Sequence, residues 1–448
     1  MSTAPPRAVA RDCLRTVGAL GLLGLALPAN VALTGVALLR KRIRTGGQQQ
    51  SPSGHQTPRR TVLVSGGKMT KALQLCRSFD AAGYRVVLVE STKYRLTGHR
   101  FSTSVSRFHT VPSPQDPRYP QALLDIVVSE RVDVYVPVCS PAASYYDAVA
   151  KELLAGHCEV VHADPETIEA LDDKGAFAEL ATHLDLPVPQ SLRVTDPEQV
   201  SSFDFASSGR DFILKSIPYD PVHRLDLTLL PRPTRASTSA FAHTKPMSPE
   251  TPWVMQEFVS GQEYCTHGTA RAGRLQVYCC CESSAFQVNY ASVDVPEIEQ
   301  WVTRFVESTG LTGQFSFDFM RAGDGRVYAI ECNPRTHSAI TLFDGHPDLA
   351  PAYLEDGHPL IRPLPTSRPT YWLYHELWRM LAHPSTAAAR ARVVRHGRDA
   401  IFDWSDPLPF LLVHHLQIPW LLLQNLRHGK GWIRIDFNIG KLVEAAGD

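Results

Sequence analysis

The sequence predicts an α/β chain that opens with a doubly wound domain, continues into a second α/β unit and closes in an extension. Three observations predict this. Short apolar runs recur in the first third: TVLVSGG from Thr61, YRVVLVE from Tyr84, VSRFHTVP from Val105, VDVYVPV from Val132 and CEVVHA from Cys158. Helical stretches at Lys68–Gly83, Pro120–Glu130 and Ala142–Leu154 lie between most of them, and that alternation implies a parallel sheet with helices on its faces. Further on, GQFSFDFMRAGDGRVYAIECNPR reads as two strands joined by a Gly-Asp-Gly turn.

The bulk numbers bound the rest. A chain of 448 residues holds two or three packed units, and 44% hydrophobic with 20% charged residues is ordinary for a globular protein. Lys plus Arg (45) equals Asp plus Glu (45), so the basic excess of a nucleic-acid binder is absent. The nine cysteines form no CxxC pair and no Cys/His metal spacing, which suits a reducing compartment. Cys279, Cys280 and Cys281 lie in a strand-like run and read as small core residues.

Taken in chain order, the first 60 residues are a hydrophobic segment and a linker. Val17 to Leu39 is a 23-residue run without charge, preceded by Arg7, Arg11 and Arg15 and followed by Arg40, Lys41, Arg42 and Arg44. Its length suits a membrane span, and it is longer than a signal-peptide core. Pro28, Asn30 and many Gly and Ala residues weigh the other way. The near-equal basic flanks set no orientation. A membrane-associated segment, spanning or interfacial, and a tail docked on the protein's own surface are both open. Residues 45–60 are polar and rich in Gly, Ser and Pro, as in a linker.

Residues 61–165 form the doubly wound domain. Ser65-Gly66-Gly67-Lys68 follows its first strand, but neither a phosphate loop with Gly five residues before Gly67 nor GxGxxG is present. The glycines serve a tight turn, and the loop with Lys68 is a candidate contact for a substrate at the strand carboxyl ends.

Residues 166–362 hold the candidate chemistry. Asp318 sits in the first strand of the Gly-Asp-Gly hairpin, and Glu331 and Asn333 end the second. Positions i and i+2 of a strand share a face, and a hairpin can set Asp318 beside them. Two carboxylates and an amide oxygen on one side make a hard oxygen site suited to Mg²⁺, whereas without a cation the acids repel each other. Arg335 follows, placed to neutralise a transferred phosphate. Upstream lie Lys215 in FILKSI and the stretch QEFVSGQE, with Gln256, Glu257 and Glu263.

LDDK at 171–174, FILK at 212–215, QEFVSGQE at 256–263, FDF around Asp318 and ECNPR at 331–335, in this order, resemble the ATP-grasp superfamily over about residues 61–345. The resemblance implies an ATP-grasp fold with ATP and Mg²⁺ as cofactors. It matches Lys174 and Lys215 to the lysines on the nucleotide phosphates. It matches Gln256, Glu257 and the backbone near Val259 to the adenine-reading hinge, and Glu263 to the acid on the ribose hydroxyls. Asp318, Glu331 and Asn333 match the magnesium ligands, and Arg335 the basic residue facing the transferred phosphate. The sequence departs from the superfamily in one place: SIPYDPVHRLDLTLLPRPTR stands where a Gly-rich phosphate lid is usual. His223 and Arg224 there could act as a more rigid lid, or the segment is a surface loop.

FILKSIPYDPVHRLDL, ECNPRTHSAIT and RIDFNIGKLVE are similar to the ligases of mycosporine-like amino acid biosynthesis. That resemblance implies a C–N bond-forming, ADP-forming ligase acting on small molecules, 4-deoxygadusol (a cyclic enolised diketone) and glycine or another amino acid. His337 would orient the enol or take a proton from the amine, or serve as a hydrogen-bonded structural histidine. A carboxylate–amine ligase using ordinary amino acids and a non-catalytic nucleotide-binding regulator are the alternatives. ATP-using domains imply a cytoplasmic location for the body of the chain.

Residues 363–448 lie beyond the superfamily core. The Trp/Leu-rich stretch Pro419–Leu426 reads as a helix that docks on the core or lies at a membrane interface. The adjacent His414 and His415 point apart on a helix, which is poor geometry for one metal.

Overall fold

The computed structural model describes residues 6–45, 60–138, 140, 143–217, 226–283 and 289–444. His223 and Arg224 lie outside the described residues. Five parallel strands, β1 (Thr61–Val64), β2 (Arg85–Ser91), β3 (Arg107–Val111), β4 (Val134–Val136) and β5 (Glu159–Val160), form the first sheet in the order β3-β2-β1-β4-β5. Every residue of β1 and β4 is buried, the pattern of strands covered on both faces. The strand order reverses between β1 and β4, which sets the switch point of this domain beside the Ser65–Lys68 loop. Gly66 there has φ +70°, and a Cβ would stand 2.1 Å from the Val138 carbonyl oxygen, so the turn demands glycine.

The second unit is antiparallel. β6 (Ser191–Val194), β7 (Phe212–Ser216) and β8 (Trp253–Glu257) form a three-stranded sheet with β8 in the middle. β9 (Gly261–Arg271) and β10 (Arg274–Glu282) follow. β11 (Asn289–Tyr290) leaves to pair with Thr370–Tyr371, while β12 (Ser292–Val293), β13 (Gly313–Ala322) and β14 (Val327–Asn333) complete a sheet in the order β12-β10-β9-β13-β14. Alternation along β13 decides its two faces. Phe315, Phe317 and Phe319 are buried against Trp301 and Phe305 of the helix Pro296–Thr309 and against Phe177. Asp318 therefore falls on the opposite face. Cys279, Cys280 and Cys281 are buried in β10, as small core residues would be.

The carboxyl-terminal extension docks on the core. Phe410, Ile418, Leu422 and Phe437 share one apolar cluster with β1 and with the helix Thr70–Ala81. The expected Trp/Leu-rich helix spans Ile418–Arg427. His414 and His415 do point apart: the His414 ring meets the Phe410 carbonyl at 2.6 Å and stacks on Tyr374, while His415 reaches Asn30 at 2.7 Å. The amino-terminal run is one helix, Pro6–Thr45, that continues through Pro28.

Candidate functional site

The hairpin β13–β14 builds the centre of the site. Asp318 pairs with Glu331 and Ser316 with Asn333, so the two acids and the amide share a face. Between Asp318 and Phe319 the register slips by one residue, which leaves Ile330 as a bulge in β14. The bulge keeps Cys332 and Ala329 both in the core while Glu331 stays on the site face. It also frees the Ile330 carbonyl, which accepts a hydrogen bond from Gln256 Nε2 at 3.2 Å. One irregular residue thus joins the two antiparallel sheets at the mouth of the site.

Three cations face this cluster. Asp173 caps the helix Lys174–His183 by accepting from the Gly175 and Ala176 amides at 2.8 and 3.0 Å. That cap fixes Lys174 at the first helical position, and its Nζ lies 3.5 Å from Glu331 Oε2. Lys215, on β7, interacts electrostatically with Glu331, Lys174, Asp318 and Glu263, and burial, countered by Glu331, lowers its pKa. Arg335 donates to Asn333 Oδ1 and, at 3.2 Å, to Asp172.

The acids are unequal. Burial, then the Glu331 charge, raises the Asp318 pKa well above the usual carboxylate range. Burial alone would raise Glu331 too, but Lys174 and Lys215 outweigh it and hold that carboxylate low. Asn333 Nδ2 donates to Asp318 at 3.3 Å and to Glu331 at 3.4 Å. An oxygen-donor role for Asn333 requires the reverse amide orientation, with Oδ1 turned toward the acids.

Among the described residues no three His, Cys, Asp or Glu side chains converge as a self-sufficient metal cage. Two acids and an amide are instead the sparse set that fits magnesium, which keeps waters and is completed by substrate phosphates. Asp318 and Glu331 face each other across the hairpin with Asn333 reaching both, a donor set that fits a divalent cation.

The remaining candidates are distributed differently. Glu263 lies on β9 opposite Met320 and accepts from Ser283 Oγ at 2.9 Å, close enough to influence Asp318 and Lys215. Gln256 is buried, and its side chain is occupied in bridging the sheets through Ser191 and Ile330. The Glu257 carboxylate accepts from Arg210 at 2.7 Å and from the Gln190 amide at 3.0 Å. Adenine contacts in this stretch would therefore fall to the backbone around Val259, in the link between β8 and β9. His337 accepts from the Ala339 amide at 3.3 Å through Nδ1, donates its own backbone amide to His267 at 3.2 Å and meets the Tyr290 ring edge-on. The Ser65–Lys68 loop is spent internally: Glu90 takes the Lys68 amide at 2.9 Å and its Nζ at 3.5 Å, and Tyr94 covers the ammonium.

Sequence reasoning missed the residues that clamp the loop after Asn333. Ser144 Oγ donates to the Pro334 carbonyl at 2.7 Å, Lys71 to the Thr336 carbonyl at 2.5 Å, and Thr336 Oγ1 to Gln314 at 2.6 Å. Asn438, in the closing RIDFNIG, exchanges hydrogen bonds with Ser338 at 2.9 and 2.8 Å, and its carbonyl accepts from the Thr70 amide. His267 is fully buried beneath the loop, where burial, then His337 and Lys71, keeps it neutral. The only available signals were the odd polar residues in RIDFNIG and the doubled Asp of LDDK.

No family model and no curated protein matches the chain. Solved structures similar to it include N5-carboxyaminoimidazole synthetase from Staphylococcus aureus complexed with ADP (16% identity, 64% of this chain and 73% of that one, TM-score 0.48). An L-amino acid ligase from Bacillus licheniformis aligns at 14% identity over 66% and 70%, with a TM-score of 0.47. Biotin carboxylase from Campylobacter jejuni aligns at 12% over 62% and 65%, with a TM-score of 0.49.

Proposed function

We propose that this chain is an ATP-grasp ligase, ADP-forming, that phosphorylates the enol oxygen of 4-deoxygadusol and joins the amine of glycine to it. The observation that carries the reading is the single cluster of Lys174, Lys215, Asp318, Glu331, Asn333 and Arg335, held where two antiparallel sheets meet. Asp318, Glu331 and Asn333 would hold magnesium, which supplies charge neutralisation on the triphosphate. Lys174 and Lys215 present positive charge to the phosphates, and Glu263 accepts from the ribose. Arg335, steadied by Asp172, balances charge on the transferred phosphoryl group.

The chemistry suits an enolised 1,3-diketone, which behaves as a vinylogous acid. Transfer of the terminal phosphoryl group to the enol oxygen gives an enol phosphate and ADP. The amine adds to the same carbon, phosphate leaves, a proton is lost from nitrogen, and an enaminone results. Holding both partners beside the nucleotide supplies proximity and excludes water. His337, held by the Ala339 amide and Tyr290, would orient the acceptor. The body of the chain would work in the cytoplasm, where ATP is supplied.

Incubation with ATP, Mg²⁺, 4-deoxygadusol and glycine tests the reading. A new enaminone absorbance with matching ADP, both dependent on glycine, is the expected result. ADP release with ordinary amino acids and no enaminone would move the substrate to a carboxylate. Nucleotide binding without turnover over any acceptor would overturn the ligase reading itself.

A further inference from the structure

The helix Pro6–Thr45 is arranged inside out for a helix in water. Its buried positions Thr16, Leu23, Asn30 and Ala37 recur every seven residues, with Thr34 beside them, and so form one narrow seam. That seam is rich in polar groups. Asn30 donates to the Tyr374 hydroxyl at 2.7 Å and lies 2.7 Å from His415, and Trp432 Nε1 donates to Thr16 at 2.9 Å. The free face is apolar: Leu14 is 74% exposed and Leu25 80%, and Val17, Leu22, Val31, Val36 and Leu39 join them. In water the apolar side would be the docked one.

The docking also decides how such a helix can meet lipid. Arg15 donates to the Trp432 carbonyl at 2.7 Å near one end, and Lys41 to the Ser405 carbonyl at 2.8 Å near the other. At about 1.5 Å per residue these anchors stand roughly 39 Å apart. A span would carry the docked loops of the extension through a hydrocarbon layer about 30 Å thick, where irregular polar backbone is not tolerated.

We propose that the helix Pro6–Thr45 is an in-plane anchor, docked by its polar seam on the carboxyl-terminal extension and seated by its apolar face on an anionic phospholipid bilayer. Charge complementarity selects that occupant over a second copy of the chain. Arg11 stands at one end of the helix and Arg40 at the other, so both ends suit one headgroup layer. Trp404 is exposed beside Arg40, whose guanidinium covers its ring at 4.8 Å, as suits an interfacial aromatic. Trp378 and Leu381 of the helix Leu373–Ala382, which meets the amino-terminal helix at the Tyr374–Asn30 contact, are exposed as well. The inference is independent of the ligase reading.

Flotation of the purified full chain with phosphatidylcholine vesicles, with and without phosphatidylglycerol, tests it. Binding should rise with the anionic lipid and fall with salt. Leu25→Glu and Val36→Glu should each weaken it about tenfold or more without changing the far-ultraviolet dichroism. Protease sites placed before residue 6 and within 46–59 should be cut together from the outside of sealed vesicles. A protected amino terminus, an isolated protein that begins beyond Thr45, or a discrete dimer that ignores vesicles would each overturn the proposal.

Discussion

Replacing Asp318 by Asn should stabilise the magnesium-free chain while abolishing its activity. Burial, then Glu331, lifts the Asp318 pKa well above its ordinary 3.8. The folded state therefore holds this proton more tightly than the unfolded state. Its contribution to stability is full below pH 3.8 and is lost as pH rises through the folded value. At neutral pH the acid pair is a liability, because burial and the neighbouring Glu331 charge both oppose ionisation of Asp318. Lys174 nearby offsets part of that repulsion, so Asp318→Asn should raise Tm by about 1–2 °C, a chain of this length shifting roughly 1 °C per kcal/mol. MgATP reverses the order. At a hundred times its Kd a ligand adds about 2.7 kcal/mol to the protein that binds it, and only the wild type should hold the cation. Thermal unfolding in EDTA and again with MgATP reads both signs, and ADP release should fall about a thousandfold or more. A variant less stable than wild type in EDTA, or one that keeps the full MgATP shift, would refute the reasoning.

Other perturbations probe the supports of the site. Asp173→Ala removes the cap that places Lys174, so stability should drop by about 0.5–2 kcal/mol in urea titration and the KM for ATP should rise. Gln256→Leu strands the bulged Ile330 carbonyl and should cost about 1–3 kcal/mol, again read by urea. Arg335→Ala should lower kcat by about a hundredfold in the ADP-release assay while leaving nucleotide affinity nearly unchanged. Three histidines share one acid dependence: burial holds His99 and His414 down to about 3, and desolvation holds the half-buried His375 at about 4, against an ordinary 6.5. Their stabilising effect is complete above pH 6.5 and is lost as pH falls toward 3–4, at up to about 1.4 kcal/mol per pH unit each. His414→Phe should flatten the plot of urea midpoint against pH.

Periodicity alone was enough for the parts of this protein whose neighbours are close in sequence. The apolar runs of β1, β2 and β4 must be covered on both faces, so they announce a parallel sheet whatever lies beside them. The spacing in FSFDFM puts three phenylalanines on one side of β13 and Asp318 on the other, and the Gly-Asp-Gly turn returns the chain so that Glu331 can lie opposite. Everything dependent on distant partners was decided by the tertiary structure. No local pattern tells that Ile330 bulges, that the Gln256 and Glu257 side chains are already engaged, or that Asn438 reaches back across 100 residues to Ser338. Nor does composition distinguish an apolar helix that crosses a bilayer from one that docks by a polar seam. Hydropathy sums over a helix, whereas the seam exists only once Tyr374, His415 and Trp432 are brought alongside it.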